Sequence, residues 1–180
     1  MDYTKYNKSY FDVINDRYSC REFTDEVISI EQINMILEAG RVAPSAVNFQ
    51  PVKIIVLRDE KIINEIIEKR ATKYLFNAKT IFIICYDENI SWHRGYDNVD
   101  HGVVDASICT THMMLAIEAL GLGTTYVCSF KEDLLKEILN LDKNIHVSAI
   151  LPCGYKNEFK PHIERKELKD YKYTSNSSQT

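Results

Sequence analysis

The fold class of this chain is decided by residues 80–86, whose sequence is TIFIICY. A continuous apolar run of this length, rich in β-branched side chains, is typical of a strand that is buried on both faces of a sheet. A second β-branched run, Val52–Leu57, predicts a neighbouring strand, and apolar runs at residues 124–128 and 146–151 predict two more. Because four strands are few for one sheet, we expect residues 168–173 to add an edge strand.

Helices are predicted between the strands, where apolar residues recur at helical spacing. Ser29 and Gln32 have the spacing of a capping box. Strands that alternate with helices predict a layered domain of the α+β or α/β class. The predicted helices cover residues 5–16, a segment that starts at Ser29 and ends before Pro44, and residues 61–69, 100–120 and 131–139.

Length and charge restrict the functions to consider. The 180 residues fit one domain, and 22 basic against 26 acidic residues give a net charge of −4. This balance argues against a nucleic-acid or membrane-surface binder, since such proteins normally carry a basic excess. The apolar stretch at residues 103–120 is interrupted by Asp105, His112 and Glu118, which predicts a buried helix and not a membrane span.

The five cysteines are widely spaced and include no C-x-x-C pair. With an N-terminus that lacks the apolar core of a signal peptide, they favour free thiols and a cytoplasmic location. Cys109 and His112 share a helix face, but no further ligand has suitable spacing, so no metal site is expected. Gly121-x-Gly123 follows a helix and enters a strand, which is the reverse of a dinucleotide-binding turn.

The densest polar cluster is RYSCR at residues 17–21. If this segment is extended, Arg17, Ser19 and Arg21 lie on one face, because side chains alternate along a strand. Two guanidinium groups and a hydroxyl on one face can bind a phosphate. The alternative is a solvated strand whose arginines pair with Asp16 or Glu22. The cysteine within the segment faces the opposite way in either case, as a structural thiol.

A second polar cluster lies in the loop PSAVNFQP at residues 44–51. Asn48 and Gln50 are two residues apart, so both amides can face one ligand. Amide donors and acceptors suit the edge of a planar heterocycle that alternates carbonyl oxygens and ring nitrogens. Alternatively, the amides satisfy the backbone of a loop that ends the preceding helix.

These clusters are the first two of four motifs that occur in the order of a known family. Together the motifs cover nearly the whole chain and resemble the FMN-dependent nitroreductase family. They are Arg17-x-Ser19-x-Arg21-x-Phe23, Ala43-Pro44-Ser45-Ala46-x-Asn48-x-Gln50-Pro51, Ala119-Leu120-Gly121-Leu122-Gly123, and Leu151-Pro152-x-Gly154-Tyr155 followed by Arg165-Lys166.

The resemblance implies an α+β, nitroreductase-like fold with a central, mostly antiparallel sheet flanked by helices. It implies a single FMN-binding domain over residues 1–170 and a partly disordered C-terminal tail at residues 171–180. It also implies a homodimer with shared FMN sites, in which the helix at residues 100–120 lies at the interface and a C-terminal segment reaches the partner. Pro44 and Ser45 would then come from the partner subunit.

The same resemblance implies roles for individual residues. Arg17 and Arg165 would contact the FMN phosphate, Arg21 would lie near the polar edge of the isoalloxazine ring, and Asn48 and Gln50 would approach the ring or the ribityl chain. The complete implied set is Arg17, Tyr18, Ser19, Arg21, Pro44, Ser45, Asn48, Gln50, Cys128, Ser129 and Arg165.

Two positions depart from the family pattern. Cys128 and Ser129 match the stretch whose backbone approaches the hydride-accepting flavin nitrogen, where the family favours glycine or an acidic residue. Ile163 stands where relatives often carry a second basic residue, so Lys166 or His162 would have to replace that phosphate contact.

The implied reaction has two stages. NADH or NADPH transfers hydride to FMN and leaves, and a small acceptor such as a nitroaromatic or a quinone is then reduced in the same pocket. The flavin carries the chemistry, Arg21 stabilises the reduced ring, and no side chain acts as a nucleophile. The alternatives are a specialised reductase or dehalogenase of the same fold, and a flavin-binding regulatory module without turnover.

Overall fold

The computed structural model describes residues 8–160 and 163–173 of the chain. Helices and strands alternate along it, as the apolar periodicity predicts. The elements are α1 (Tyr10–Asp16), α2 (Ile30–Arg41), a 3-10 turn (Ala46–Asn48), β1 (Val52–Leu57), α3 (Glu60–Glu68), β2 (Thr80–Asp87), α4 (Gly102–Ala119), β3 (Leu122–Thr124), α5 (Glu132–Leu139), β4 (Ile145–Tyr155) and α6 (Leu168–Tyr171).

A four-stranded antiparallel sheet, in the order β1-β2-β4-β3, lies at the centre of the fold. Strand β2 pairs with β1 on one side and with β4 on the other, and its first six residues are buried. The prediction that residues 80–86 form a central strand is therefore confirmed. The α+β class with an antiparallel sheet is confirmed as well.

Alternate side chains of β2 enter two separate hydrophobic cores. Ile81, Ile83 and Cys85 pack in the core that α3 and α5 cover. Phe82 and Ile84 pack in the core on the opposite face, which α2 and α4 cover. This arrangement follows from the period of two in a strand, and it explains why β2 is apolar at every position.

Helix α4 is apolar on most of its circumference and contacts α1, α2 and all four strands. A helix with this pattern is stable only when buried, so its position against the sheet follows from its composition. Within residues 8–160 and 163–173, no helix is long and apolar enough to cross a bilayer.

Three predicted strands differ from the structure, and the mildest difference is that the strand expected at residues 146–151 extends over Ile145–Tyr155 as β4. The strand expected at residues 124–128 begins earlier and ends earlier, at Leu122–Thr124, because Gly121 has a left-handed φ of 76° and turns the chain into the sheet directly after α4. Beyond it, only Val127 still bridges to β4, at Ile150.

The edge strand expected at residues 168–173 is wrong, because Leu168–Tyr171 forms the short helix α6. The sheet edge beside β3 is instead occupied by the segment at residues 19–23. Ser19 bridges in parallel to Thr124, and Phe23 bridges in antiparallel to Lys156.

The chain ends lie partly outside the described residues. The N-terminal helix predicted at residues 5–16 begins at Tyr10, after Ser9 caps it, and residues 5–7 fall outside the described range. Of the predicted tail at residues 171–180, positions 174–180 also fall outside it.

Candidate functional site

The first polar cluster lies along the sheet edge in extended form. Cys20 is completely buried, whereas Ser19 is half-buried and Arg21 is exposed. The backbone N–H of Cys20 donates to the Thr124 carbonyl at 3.0 Å, which fixes the segment on β3. The predicted alternation is confirmed for Ser19, Cys20 and Arg21, with Cys20 as the expected structural thiol, whereas the placement of Arg17 on the same face stays a prediction.

The two arginines of this cluster carry no ion pair within the part of the chain that the structure describes. The carboxylates that the alternative interpretation assigned to them are engaged elsewhere. Asp16 lies 2.9 Å from the Lys8 Nζ, and Glu22 accepts a 3.0 Å hydrogen bond from the side-chain amide of Asn157. The guanidinium of Arg21 donates only to the backbone carbonyl of Ser19, at 3.3 Å. The Glu158 carboxylate accepts a 2.7 Å hydrogen bond from the Arg21 backbone N–H, so Arg21 has a carboxylate beside it although its guanidinium forms no ion pair. Arg17 is the arginine of this cluster that has no such neighbour among the described residues.

Tyr18 faces the other side of the segment. Its hydroxyl donates to the backbone carbonyl of Glu158, and its ring lies edge-on to Phe159 and 5.1 Å from the Lys156 Nζ. Burial, the largest effect, raises the pKa of Tyr18 to about 12. The side chain thus fixes the chain after β4, and a role of Tyr18 in cofactor binding stays a prediction.

The segment approaches β3 closely because Gly123 has no side chain. A Cβ atom at this position would lie 2.7 Å from the Cys20 Sγ and 2.8 Å from its Cβ. Atoms in van der Waals contact do not approach so closely, and only glycine fits. The glycine that ends the third motif therefore positions the first motif.

A cavity of about 200 Å³ joins three of the predicted site residues, Arg21, Cys128 and Ser129. Tyr74 and Phe76 also line it, with their rings 6.3 Å apart. These two rings are not among the predicted site residues. They flank Leu75 in the link between α3 and β2, and two aromatic residues so close together are the signal that could have indicated them.

Cys128 is the exposed cysteine of this cavity. Desolvation, the largest effect, raises the pKa of its thiol, and a hydrogen bond with Tyr126 opposes that shift. A thiol with a raised pKa stays protonated at neutral pH and is a poor nucleophile. The cavity therefore suits a planar group that binds between polar and aromatic walls, and not covalent catalysis by cysteine.

The second polar cluster forms a strained loop. Val47, Asn48 and Gln50 have left-handed φ values of 52°, 59° and 52°. The Gln50 side-chain amide donates to the Asn48 Oδ1 at 3.2 Å, and the Gln50 backbone N–H donates to the Ser45 hydroxyl at 3.0 Å. Both sequence interpretations describe part of this geometry, since the amides are adjacent and also bond within the loop.

Asp105 holds this loop from α4. It is 2% exposed, and its Oδ1 accepts a 2.8 Å hydrogen bond from the Ala46 backbone N–H, while its Oδ2 is buried without a partner. A carboxylate that accepts a backbone N–H is a strong contact, especially when it is removed from water. The sequence analysis noted Asp105 only as an interruption in an apolar helix.

The structure does not bring the two clusters together within one chain. Gln50 lines a separate cavity of about 230 Å³ with Arg41 and Cys109, and this cavity shares no residue with the one at Arg21. Pro44 is exposed beside it. Arg165, Lys166 and Ile163 are exposed in the C-terminal segment and line neither cavity, and His162 lies outside the described residues.

Comparison with known proteins places this geometry in context. A model of the nitroreductase family matches residues 14–80 and 69–155. An Archaeoglobus fulgidus protein, provisionally named NADH dehydrogenase/NAD(P)H nitroreductase, is 32% identical over 161 residues, which cover 84% of this chain and 88% of the relative. A Bacillus subtilis protein named FMN reductase [NAD(P)H] is 29% identical, over 79% of this chain and 64% of its own length.

Solved structures give the same result for the fold. The crystal structure of a nitroreductase family protein from Clostridium difficile 630 superposes with a TM-score of 0.85 at 29% identity. The match covers 91% of this chain and 96% of the other.

Proposed function

The chain belongs to the nitroreductase family, and on this premise we propose that it is an oxidoreductase that uses NADH or NADPH as electron donor and FMN as cofactor. One observation carries the proposal: a single cavity joins Arg21, which belongs to the segment that also carries Arg17 and Ser19, to Cys128 and Ser129. The names of the relatives, FMN reductase and NAD(P)H nitroreductase, support the same cofactor and donor.

The residues at the sheet edge fit FMN. The guanidinium groups of Arg17 and Arg21 form no ion pair in the described part of the chain, and Ser19 lies between the two residues in the sequence. Phosphate binds guanidinium groups through charge-assisted hydrogen bonds, which are about twice as strong as neutral ones. We assign the FMN phosphate to Arg17, with Ser19 in support and with Arg165 as a contact from the C-terminal segment.

The chemistry divides between cofactor and protein. When bound, FMN supplies the two-electron chemistry that takes hydride from NAD(P)H and passes electrons to a small acceptor such as a nitroaromatic or a quinone. The exposed Arg21 guanidinium places a positive charge at the cavity and stabilises negative charge that develops there. Tyr74 and Phe76 provide apolar walls of the cavity. The Cys128 thiol is protonated and takes no part in electron transfer, which the cofactor carries out.

We further propose that two chains form a homodimer with shared FMN sites. One chain places the two polar clusters in separate cavities, so a second copy can bring its Asn48 and Gln50 to the Arg21 cavity of the first. Val103 and Val104 of α4 are 48% and 46% exposed, and Leu168 and Tyr171 of the C-terminal segment are 77% and 85% exposed. Apolar surface of this kind is typical of an interface between subunits.

The working unit would act on small molecules in the cytoplasm. The five cysteines are all free, which fits a reducing compartment. Light scattering on the FMN-loaded protein should give the mass of two chains, and a monomeric mass at micromolar concentration would contradict the shared site.

The assignment of the phosphate is tested by Arg17→Ala, with Arg58→Ala as the control because Arg58 is exposed just after β1. Loss of one charge-assisted contact should raise the Kd for FMN by about 10–100-fold. Both proteins are purified in parallel, and the flavin content is read from the absorbance spectrum. Unchanged flavin content in Arg17→Ala would contradict the assignment.

Catalysis is tested by anaerobic titration of the yellow protein with NADH and NADPH. Rapid bleaching by either donor supports the reductase. A yellow protein that neither donor bleaches would instead be a flavin-binding module, and a colourless protein that cannot be reconstituted with FMN would contradict the cofactor itself.

A further inference from the structure

A larger cavity of about 490 Å³ adjoins the Arg21 cavity, and Tyr74 and Ser129 line both. Three cationic side chains, Arg70, Lys73 and Lys131, line the larger one. The proposed function assigns them no role.

The three cations carry no ion pair within residues 8–160 and 163–173. Lys69, the residue before Arg70, is by contrast paired, because its Nζ lies 3.0 Å from a carboxylate oxygen of Glu65 and 3.0 Å from one of Glu137. The Lys73 Nζ lies 5.2 Å from the centre of the Tyr74 ring. The large cavity is therefore bordered by positive charge that the described protein does not neutralise.

Arg70 occupies a position where glycine is preferred. Its φ is 56°, its N–H donates to the Ile67 carbonyl at 3.0 Å, and the Ala71 N–H donates to the Ile66 carbonyl at 3.0 Å. These two bonds form the Schellman motif that ends α3, in which the left-handed residue is usually glycine. A non-glycine residue in this conformation is strained, and such strain is concentrated at functional sites.

The walls that carry the cations are held together. The Lys131 backbone N–H donates to the Ala71 carbonyl at 2.7 Å, and the Thr72 hydroxyl donates to the Ser129 carbonyl at 2.8 Å. The Thr72 Oγ1 also accepts from the Tyr74 N–H at 3.2 Å. Since Ala71 and Thr72 are 1% and 4% exposed, the backbone beneath the cavity is fixed before any ligand binds.

We propose that this cavity binds the 2′-phosphate of NADPH while the nicotinamide lies in the adjoining Arg21 cavity, which makes the protein selective for NADPH over NADH. The inference rests on the proposed function and names the donor that the proposed function leaves open. A phosphate monoester carries a charge of about −1.5 to −2 at neutral pH, whereas NADH has a neutral hydroxyl at the same position. Arg70 offers a bidentate fork, and Lys73 and Lys131 add two point charges.

Binding is measured by calorimetry on the FMN-loaded protein, with adenosine 2′,5′-bisphosphate as probe and adenosine 5′-monophosphate as reference. The wild-type protein should bind the bisphosphate at least about tenfold more tightly, and Lys73→Gln or Arg70→Gly should each remove about tenfold of that difference. Lys61→Gln is the matched control, since Lys61 lies nine residues before Arg70, which is about 13 Å along the direction of α3. In Lys73→Gln and Arg70→Gly, the ratio of kcat/KM for NADPH to kcat/KM for NADH should fall together with the bisphosphate affinity. The kcat/KM for NADH should stay unchanged.

Arg70→Gly separates binding from folding. Glycine relieves the left-handed strain, so Tm should rise by about 2–4 °C while the bisphosphate binds more weakly. A purely structural role for Arg70 would not move these two readouts in opposite directions.

Three results would overturn the proposal. The first is equal binding of the two nucleotides by the wild-type protein. The second is an equal loss of kcat/KM for NADPH and for NADH in Lys73→Gln. The third is a lower rate with an anionic electron acceptor while the NADPH to NADH ratio of kcat/KM stays unchanged, because that result would assign the cavity to the acceptor. Failure of both donors to bleach the flavin would contradict the proposed function, whereas the calorimetric comparison would still decide whether the phosphate binds here.

Discussion

Replacing Gly123 by alanine should displace the segment that carries Ser19 and Arg21 and weaken the binding of FMN. The added Cβ would lie 2.7 Å from the Cys20 Sγ, 2.8 Å from the Cys20 Cβ and 2.9 Å from the Lys156 Cγ. The lysine can move, because its side chain is long. Cys20 cannot, because it is completely buried and its N–H is bonded to Thr124.

The expected size of the effect follows from these contacts. Overpacking of a filled interior by one methyl group costs about 1–3 kcal/mol. For a chain of this length, each kcal/mol lowers Tm by about 2–4 °C. The segment responds by moving off the sheet edge, so the loss in FMN affinity should exceed what the lower stability alone produces.

The assay combines thermal unfolding without FMN and a fluorescence titration with FMN. Gly95→Ala is the control, because no atom lies within 4 Å of a Cβ built at that glycine. The double variant Gly123→Ala/Cys20→Gly should recover part of the Tm and of the affinity, since it removes two of the three close contacts. If Gly123→Ala instead matches Gly95→Ala in both measurements, the close approach does not position the site and the reasoning is refuted.

Three further perturbations probe the site and its support. Cys128 is the exposed thiol, so the native protein should react with one equivalent of Ellman's reagent, and saturating FMN should slow that reaction; a rate that FMN leaves unchanged would place the flavin elsewhere. Burial raises the pKa values of Cys85 and Tyr18 to about 12 each, so the folded protein keeps protons that the unfolded chain releases as the pH rises above about 9 and 10. Stability measured by urea unfolding should therefore fall as the pH rises above about 9, by up to about 1.4 kcal/mol per pH unit for Cys85, and Cys85→Ala should flatten the decline. Asp105→Ala leaves the Ala46 N–H without its acceptor and should cost about 1–3 kcal/mol and weaken FMN binding, whereas Asp105→Asn keeps the acceptor oxygen and should retain most of both.

The elements that the sequence predicts well are those whose burial is visible as a local pattern. Strand β2 is apolar at every position because each face enters a core, and α3 shows its apolar residues at helical spacing. Strand β3 starts two residues and ends four residues before its predicted bounds, because its start depends on the left-handed Gly121 and its end depends on its partner β4. The segment at residues 168–173 forms the exposed helix α6 and joins neither edge of the sheet, and no local pattern in its sequence indicates that outcome.

In the candidate site, as in the fold, the sequence predicts the features that follow from a local pattern and misses those that depend on distant segments. The alternation of Ser19, Cys20 and Arg21 follows from the period of a strand, and the structure confirms it. The contribution of Tyr74 and Phe76 is not predictable, because they reach Arg21 only through the fold of a distant link. A cavity assembled from segments that lie 50 residues apart leaves no periodic signal in either segment.

The position of the site follows from the need to cover a sheet edge. Strand β3 would otherwise present unpaired N–H and carbonyl groups, which invite pairing with other chains. The segment at residues 19–23 pairs with β3 through the Ser19 bridge and the Cys20 N–H at Thr124, and it pairs with the chain just after β4 through the Phe23 bridge to Lys156. Because that segment is extended, the same pairing buries Cys20, leaves Ser19 half-buried and exposes Arg21 at the cavity. A substitution that loosens the pairing should therefore cost stability and cofactor affinity together, whereas loss of an outward side chain such as Arg21 should cost function at nearly constant Tm.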